Sequence, residues 1–434
     1  MKTSLATSAQ KLAVALLFSL AGSQVMAQTA PAAIGFAPQL RVGYAAGDQW
    51  EPAMAADAHG HIYILFPQYG PLTDCPHCTI PTMSLLLSNN NGVTWHAPHP
   101  LLVSSTGQFD PQIVIDPVDK QTVYVSWLQD NKHDVIVARS QDFGNSWYFA
   151  VAERSNEDAD KPVLAVRGAN VYVGFNHDEH FFVAASHDYG QTFFSSVAVN
   201  PEAESGWSLA GGATVDPNGG VYFSWTAYAK QTSNTHPVSV NVSRSADAGR
   251  TWNTVLLDVS SAPPGCAVQS CEAEFLGAQV ALASDAAGTV YALWNSGVAN
   301  GGPERIYFSS STSGGANWSA KTDVSKANDS VEHCFPAIIA GAAGDVRIAW
   351  MDARNSPLWN VFERSSSNGG ATWSGEAQLS SPVRGYDYIL PDGFKFPFGD
   401  YFSMAIDNLG NTHAVWGEGR NYKSPGSIWY SRGR

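Results

Sequence analysis

Basic side chains are scarce in this chain. Lys and Arg number 24 against 38 Asp and Glu, which leaves a formal net charge of −14. A surface that acidic repels phosphates, so nucleic acid and anionic membrane surfaces are poor partners. A polyanionic substrate is disfavoured too, unless a local arginine cluster overrides the field. Long apolar runs are also missing. The run from Leu12 to Leu20 is too short to span a bilayer as a helix. With Lys2 and Lys11 ahead of it and Val25-Met26-Ala27 behind it, residues 1–27 read as a secretory signal peptide. No cysteine stands at the expected cleavage point, which argues against a lipoprotein anchor. Residues 28–35 then form a linker and 36–434 the folded body, exported to the periplasm or secreted.

Cysteine is sparse, with five in the chain. Export makes disulfides the expected state. Cys75 is expected to pair with Cys78, and Cys266 with Cys271 in a Pro/Gly-rich loop. Cys75-Pro-His-Cys78 has the letters of a thiol-oxidoreductase site, but that chemistry needs the pair at a helix start beside a βαβ unit. A metal site is the other alternative there. Cys334 is left over and reads as a small buried apolar residue.

What the chain has in quantity is turns and aromatics. There are 39 Gly, 24 Pro, 14 Trp, 16 Tyr and 20 Phe, which suits a turn-dense all-β body with a large core. One turn occurs six times: Ser88-Asn-Asn-Asn-Gly-Val-Thr-Trp95, then again from Ser140 to Trp147, Ser186 to Phe193, Ser245 to Trp252, Ser311 to Trp318 and Ser366 to Trp373. The frame is Ser-x-(Asp/Asn)-x-Gly-x-(Thr/Ser)-aromatic, with Ser313 and Asn317 as substitutes in the fifth copy. Asp or Asn accepts backbone N–H groups inside a tight turn, and Gly suits positive φ. The copies lie 46 to 66 residues apart, the period of propellers and other repeat arrays.

A second pattern runs in step and has seven copies. Short alternating runs end in an aromatic at Phe66, Trp127, Phe175, Trp225, Trp294, Trp350 and Trp416. Each repeat reads as four strands, A to D, with the six-fold turn joining C to D. The predicted fold is one all-β propeller of seven four-stranded blades, with six blades as the alternative. The last repeat lacks the turn and its strand D. Residues 36–44 match a strand D by spacing, so the N-terminal segment is expected to complete blade 7 and close the ring.

The turn is the Asp-box, and the chain resembles the Asp-box (bacterial neuraminidase repeat) β-propeller proteins, whose best-known members are sialidases. The resemblance covers nearly all of the chain after residue 35. It implies an exported, carbohydrate-active propeller that hydrolyses glycosidic bonds of an extracellular glycan. Sialidases hold a substrate carboxylate with three Arg residues and use a Tyr–Glu nucleophile pair and an Asp acid/base. Their first Arg lies in a Phe/Tyr-Arg-Ile-Pro element that is missing here, since Gln39-Leu40-Arg41-Val42 does not match it. Arg354 and Arg420 supply two candidates and Arg305 a third. Tyr386, Tyr388 and Tyr401 are candidate nucleophiles by position.

The topology puts A–B turns and Asp-box turns on one face and the longer B–C and D–A loops on the other, where function is expected. Starts of strands A carry Glu51, Asp110, Asp160, Lys161, Glu332, His333, Asp400 and Tyr401. Two ends of strands B share a pattern, Trp350-Met-Asp352-Ala-Arg354 and Trp416-Gly-Glu418-Gly-Arg420. Either each acid locks its own Arg, or two guanidinium groups are displayed at the channel mouth. The candidate catalytic set is Asp110, Glu51, Asp400 and Tyr401. The candidate substrate-binding set is Arg354, Arg420, Asp352, Glu418 and His333. Two other readings stay open. One is a polysaccharide lyase using His177 or His333 with a Tyr. The other is a non-catalytic glycan- or protein-binding propeller, with Trp207, Trp359, Tyr386 and Tyr388 stacking on sugars. No cofactor is expected; an acidic ring can hold Ca²⁺, but no loop has a recognisable calcium spacing. A monomer that recognises a glycan is the expected state.

Overall fold

The computed structural model describes residues 1, 32–177, 179–200, 206–230, 234–265, 276–355, 358–381, 383–384, 401–419 and 426–433. Among them every regular element is a β-strand. The strands form seven antiparallel sheets, each a meander of four positions from the channel outwards. Blade 2 is typical: Phe109–Ile115, Val123–Gln129, Asp134–Ser140 and Tyr148–Arg154. The innermost strands pack side by side around a ring, from Ala53–Ala56 of blade 1 to Phe402–Ile406 of blade 7, which meets blade 1 again. The protein is a seven-bladed β-propeller.

Local chemistry explains why the repeats hold this shape. In the six repeated turns the Ser Oγ accepts the Gly N–H at 2.8–3.0 Å. The Asp, Asn or Ser two residues later accepts the N–H of the residue four further on at 2.8–2.9 Å. Hydrogen bonds from Thr192 and Thr251 pull the Asp188 and Asp247 carboxyls down to about 2. The A–B turns are locked in a related way. Asp57, Asp216 and Asp285 each accept two turn N–H groups and a Tyr hydroxyl from strand B. The two sets of turns share one face: Asn91 N–H donates to Gly60 O, and Tyr189 N–H to Ala169 O.

Ring closure involves the N-terminal segment. Leu40–Val42 pairs antiparallel with Gly426–Gly433, Leu40 opposite Tyr430 and Val42 opposite Ile428. Phe36 makes a further bridge to Gly433. The core is divided into seven apolar layers, one between each pair of neighbouring blades. Strand D of blade 1 is His99–Pro100, and Leu101 turns in to pack beneath blades 1 and 2. The box aromatics, Trp252 among them, are half-buried at the edges of the layers. The rings at strand B ends, such as Trp127, Trp294, Trp350 and Trp416, are fully buried.

Candidate functional site

The innermost strands do not run straight into the channel. In blades 2, 3 and 6 the ladder shifts register between Phe109 and Gln112, Asp160 and Val163, and Cys334 and Ala337. The bulged pairs are Asp110-Pro111, Lys161-Pro162 and Phe335-Pro336, and blade 1 has Glu51-Pro52 in the gap between its two inner segments. Proline has no N–H to lose from the ladder, which suits it to a bulge. The residue before each proline is left-handed: φ is 54° at Glu51, 55° at Asp110, 44° at Lys161 and 53° at Phe335. Non-glycine residues rarely take this conformation, and inside a strand it is held only where the surroundings impose it. Blade 4 carries Gly211-Gly212 at its bulge, because a Cβ on Gly211 would meet the Val280 carbonyl of blade 5 at 2.0 Å.

Glu51, Asp110 and Tyr401 each stand six residues ahead of a turn aspartate, at Asp57, Asp116 and Asp407. They occupy equivalent ring positions on blades 1, 2 and 7. Lys161, Gln279, Phe335 and Tyr401 line a central cavity of about 220 Å³. The charged side chains that precede the prolines are deeply placed, with Glu51 3%, Asp110 4% and Lys161 5% exposed. Tyr401 reaches across from blade 7, its hydroxyl 3.4 Å from Asp110 Oδ1 and its ring 4.9 Å beneath the Lys161 ammonium. Lys132 Nζ lies 3.4 Å from Asp110 Oδ2 and 3.1 Å from Asp160 Oδ1. Lys132 sits in the B–C turn of blade 2, where Asp130, Asn131 and Lys132 are left-handed in succession, at φ 54°, 57° and 67°. Burial would lower the Lys132 ammonium, but Asp110, Asp160 and Glu51 outweigh it and hold it well above the lysine range. Burial likewise opposes the charge on Asp160, and Lys132 and Lys161 reverse that and keep its carboxyl low. Four of the six side chains in this cluster, Glu51, Asp110, Lys132 and Lys161, stand on left-handed backbone.

The other candidates are placed elsewhere. Arg354 donates to Asp352 at 2.6 and 2.9 Å and to Glu376 at 2.6 Å, and it lies 3.6 Å over the Phe362 ring. Asp352 also accepts the Trp350 indole N–H at 2.9 Å. Glu418 accepts the Trp416 indole N–H at 2.8 Å and the Gln39 amide at 3.3 Å. Trp127 donates to Gln129 in the same way at 3.1 Å. Residues i and i+2 share a strand face, so the shared pattern at these strand ends pairs a buried indole with an acceptor. Arg305 is bound to Asp323 at 2.7 Å. His333 is fully buried; its Nδ1 faces the Glu304 and Val331 carbonyls and its Nε2 the Ser325 hydroxyl, and burial lowers its pKa. The His177 ring packs edge-on against Phe175 and Phe182. Trp207 and Trp359 are buried, at 6% and 1% exposed. Cys75 and Cys78 are joined by a disulfide, and Cys334 is a buried free thiol. Asp400, Arg420, Cys266, Cys271, Tyr386 and Tyr388 lie outside the described residues. Among the described residues no group of three or more His, Cys, Asp or Glu is arranged to hold a metal ion, and no helix is long and apolar enough to cross a membrane.

Sequence reasoning missed Lys132. Nothing in Asp130-Asn-Lys-His133 separates it from an ordinary polar turn. The Pro signal was available: an X-Pro pair recurs at the start of four inner strands and marks the left-handed residues there.

Among solved structures, three likenesses are informative. A protein of unknown function from Dyadobacter fermentans is 13% identical, over 92% of this chain and 98% of its own, with a TM-score of 0.50. An ulvan lyase, a polysaccharide lyase bound to -[GlcA(1-4)Rha3S]-, is also 13% identical, over 90% and 95%, with a TM-score of 0.50. The intramolecular trans-sialidase of Ruminococcus gnavus is 12% identical, over 91% and 97%, with a TM-score of 0.46. At these identities the likeness is one of fold alone. No family model and no curated protein matches the sequence.

Proposed function

We propose that the protein is an exported, carbohydrate-active propeller that hydrolyses a glycosidic bond at the mouth of its central channel. The observation that carries this reading is the cluster of Glu51, Asp110, Asp160, Lys132, Lys161 and Tyr401, gathered from blades 1, 2, 3 and 7, three of them buried and four on left-handed backbone. Glycoside hydrolysis needs a proton donor to the leaving oxygen and a carboxylate or phenolate on the other side of the anomeric carbon. Asp110 and Glu51 are assigned the acid/base work. Tyr401 is the nucleophile if the chemistry follows sialidases. Its hydroxyl points at Asp110, so one carboxylate both receives the phenol proton and holds the ring in place. Lys132 bridges Asp110 and Asp160 and holds the two carboxylates in place. The Cys75–Cys78 disulfide suits an oxidising compartment, in support of export.

The test is a screen of the purified protein on a broad panel of fluorogenic glycosides, followed by Asp110→Asn, Glu51→Gln and Tyr401→Phe on whichever substrate responds. Loss of an acid/base group is expected to lower kcat by roughly 10²–10⁴-fold with the melting temperature little changed. Turnover that survives all three substitutions would move the site away from the mouth. Saturable glycan binding without turnover, abolished by the same substitutions, would make it a lectin-like site instead.

A further inference from the structure

The segment that leads to Asp110 is held from both sides. Residues 101–108 run from strand D of blade 1 to the inner strand Phe109–Ile115 of blade 2. On one side lies the B–C loop of blade 1, between Ile62–Tyr69 and Thr82–Ser88. The Thr79 hydroxyl donates to Thr106 O at 2.7 Å and also faces Ser104 O at 3.2 Å. Pro81 O accepts the Gln108 N–H at 2.9 Å, and the fully buried Gln108 side chain accepts the Met83 N–H at 3.0 Å. On the other side lies the B–C turn of blade 2. Its first left-handed residue, Asp130, donates its N–H to the Thr106 hydroxyl oxygen at 2.8 Å. Two residues on, Lys132 bridges Asp110 and Asp160.

Three successive left-handed residues keep their shape only while the surroundings impose it. At the end of the turn, Lys132 O and His133 O accept the N–H groups of Ala159 and Ser155 at 2.9 and 3.0 Å. At its start, Thr106 supplies the hold. Thr106 is gripped in turn by Thr79, the residue after Cys78. The loop that presents Thr79 is closed by the Cys75–Cys78 disulfide, with the Cys78 N–H donating to Cys75 O at 3.1 Å. Pro76 and His77 are exposed and the two cysteines only half-buried, so a dithiol can reach the bond.

We propose that the Cys75–Cys78 loop positions the mouth cluster: it acts through Thr79 and Thr106 on the turn of Lys132, and so on where Asp110 is held. Its effect on turnover rests on the hydrolase reading above; its effect on the turn does not. Thr79 and Thr106 are positioning residues, acting through Lys132. Reduction by a dithiol moves two electrons and two protons onto the cysteine sulfurs, breaks the S–S bond and leaves the donor as a disulfide. The loop then regains the freedom that the bond removed, and the brace on Thr106 weakens.

The test compares the oxidised full chain with the same protein reduced by dithiothreitol, and with a Cys75→Ser/Cys78→Ser double variant that leaves every other cysteine untouched. Amide hydrogen exchange is followed by mass spectrometry in peptides covering residues 128–134. Exchange from Asp130 to His133 is expected to quicken by roughly three- to tenfold, the worth of one hydrogen bond, while peptides of blades 4 and 5 keep their rates. Thr106→Val, with the disulfide intact, should quicken the same amides. Thr106→Ser, which keeps the hydroxyl, should leave them slow. On whichever glycoside responds, the double variant and Thr106→Val are expected to lose kcat severalfold with KM little changed, and reoxidation of the reduced chain to recover it. Faster exchange confined to residues 70–81, with 128–134 unmoved, would overturn the proposal, since the disulfide would then serve its own loop alone. So would quickened exchange at 128–134 with an unaltered kcat. The expected exchange in a chain that turns over no glycoside would leave the brace standing and remove the hydrolase reading.

Discussion

Glu363 shows what a single side chain does when it is buried without a role at the mouth. It lies in strand C of blade 6 and is fully buried, and neither carboxylate oxygen has a hydrogen-bond partner among the described residues. Burial drives its pKa up to about 8, against the opposing pull of Arg347 and Arg364. A carboxyl whose folded pKa is raised contributes most stability below its unfolded value of about 4.5 and loses it as the pH climbs towards 8. Glu363→Gln keeps the shape and removes the charge. It is expected to raise stability at pH 8 by about 1–3 kcal/mol and to change little at pH 4.5. Urea melts at the two pH values check this, and equal effects at both would show that ionisation is not what costs the fold. The aspartates of the turns behave in the opposite sense. Thr192 and Thr251 hold Asp188 and Asp247 low, so these two groups favour the fold above about pH 4 and stop doing so near pH 2.

At the scale of the element, the bulged inner strand sets fold and function against each other. Glu51, Asp110 and Lys161 hold left-handed backbone that glycine would adopt without penalty. Asp110→Ala and Asp110→Gly both remove the carboxylate and its contact with Lys132, and only the alanine keeps the strain. The glycine variant should therefore be more stable by about 1 kcal/mol, with both inactive. Matched thermal melts decide it; an alanine variant as stable as the glycine would mean the bulge relaxes freely. The strands, the six repeated turns and the seven-fold count were legible in the sequence, because period-two runs and turn residues are local signals. The cluster was legible only in part. Glu51, Asp110 and Tyr401 stood out by ring position. Lys132 did not, since it reaches Asp110 through three left-handed residues that no letter pattern announces. The repeated acid and Arg at strand ends showed in the letters, but not which way the Arg turns. In blade 6 it turns outwards, to Asp352, Glu376 and Phe362.

The whole molecule is a closed series in which every blade leans on two neighbours through an apolar layer. Leu40–Val42 supplies the outer strand of blade 7, and Val42 adds its side chain to the layer shared with blade 1. Removing residues 32–42 is expected to uncover the outer edge of Gly426–Gly433 and to lower the melting temperature by roughly 5 °C, as a loss of several kcal/mol would in a chain this size. A truncated protein that melts like the full chain would show that the ring holds without its N-terminal strand. The same pairing has a consequence for how the protein is made. Leu40 leaves the ribosome long before Tyr430, its partner. At about 5–20 residues per second the wait is roughly 20–80 s. For that interval the first strand has no mate in its own chain, and a neighbouring copy further along in synthesis offers one. Two chains that trade their first strands would satisfy every pairing of the native ring, so the failure built into this architecture is an interlocked dimer, favoured by crowding at synthesis and by refolding at high concentration.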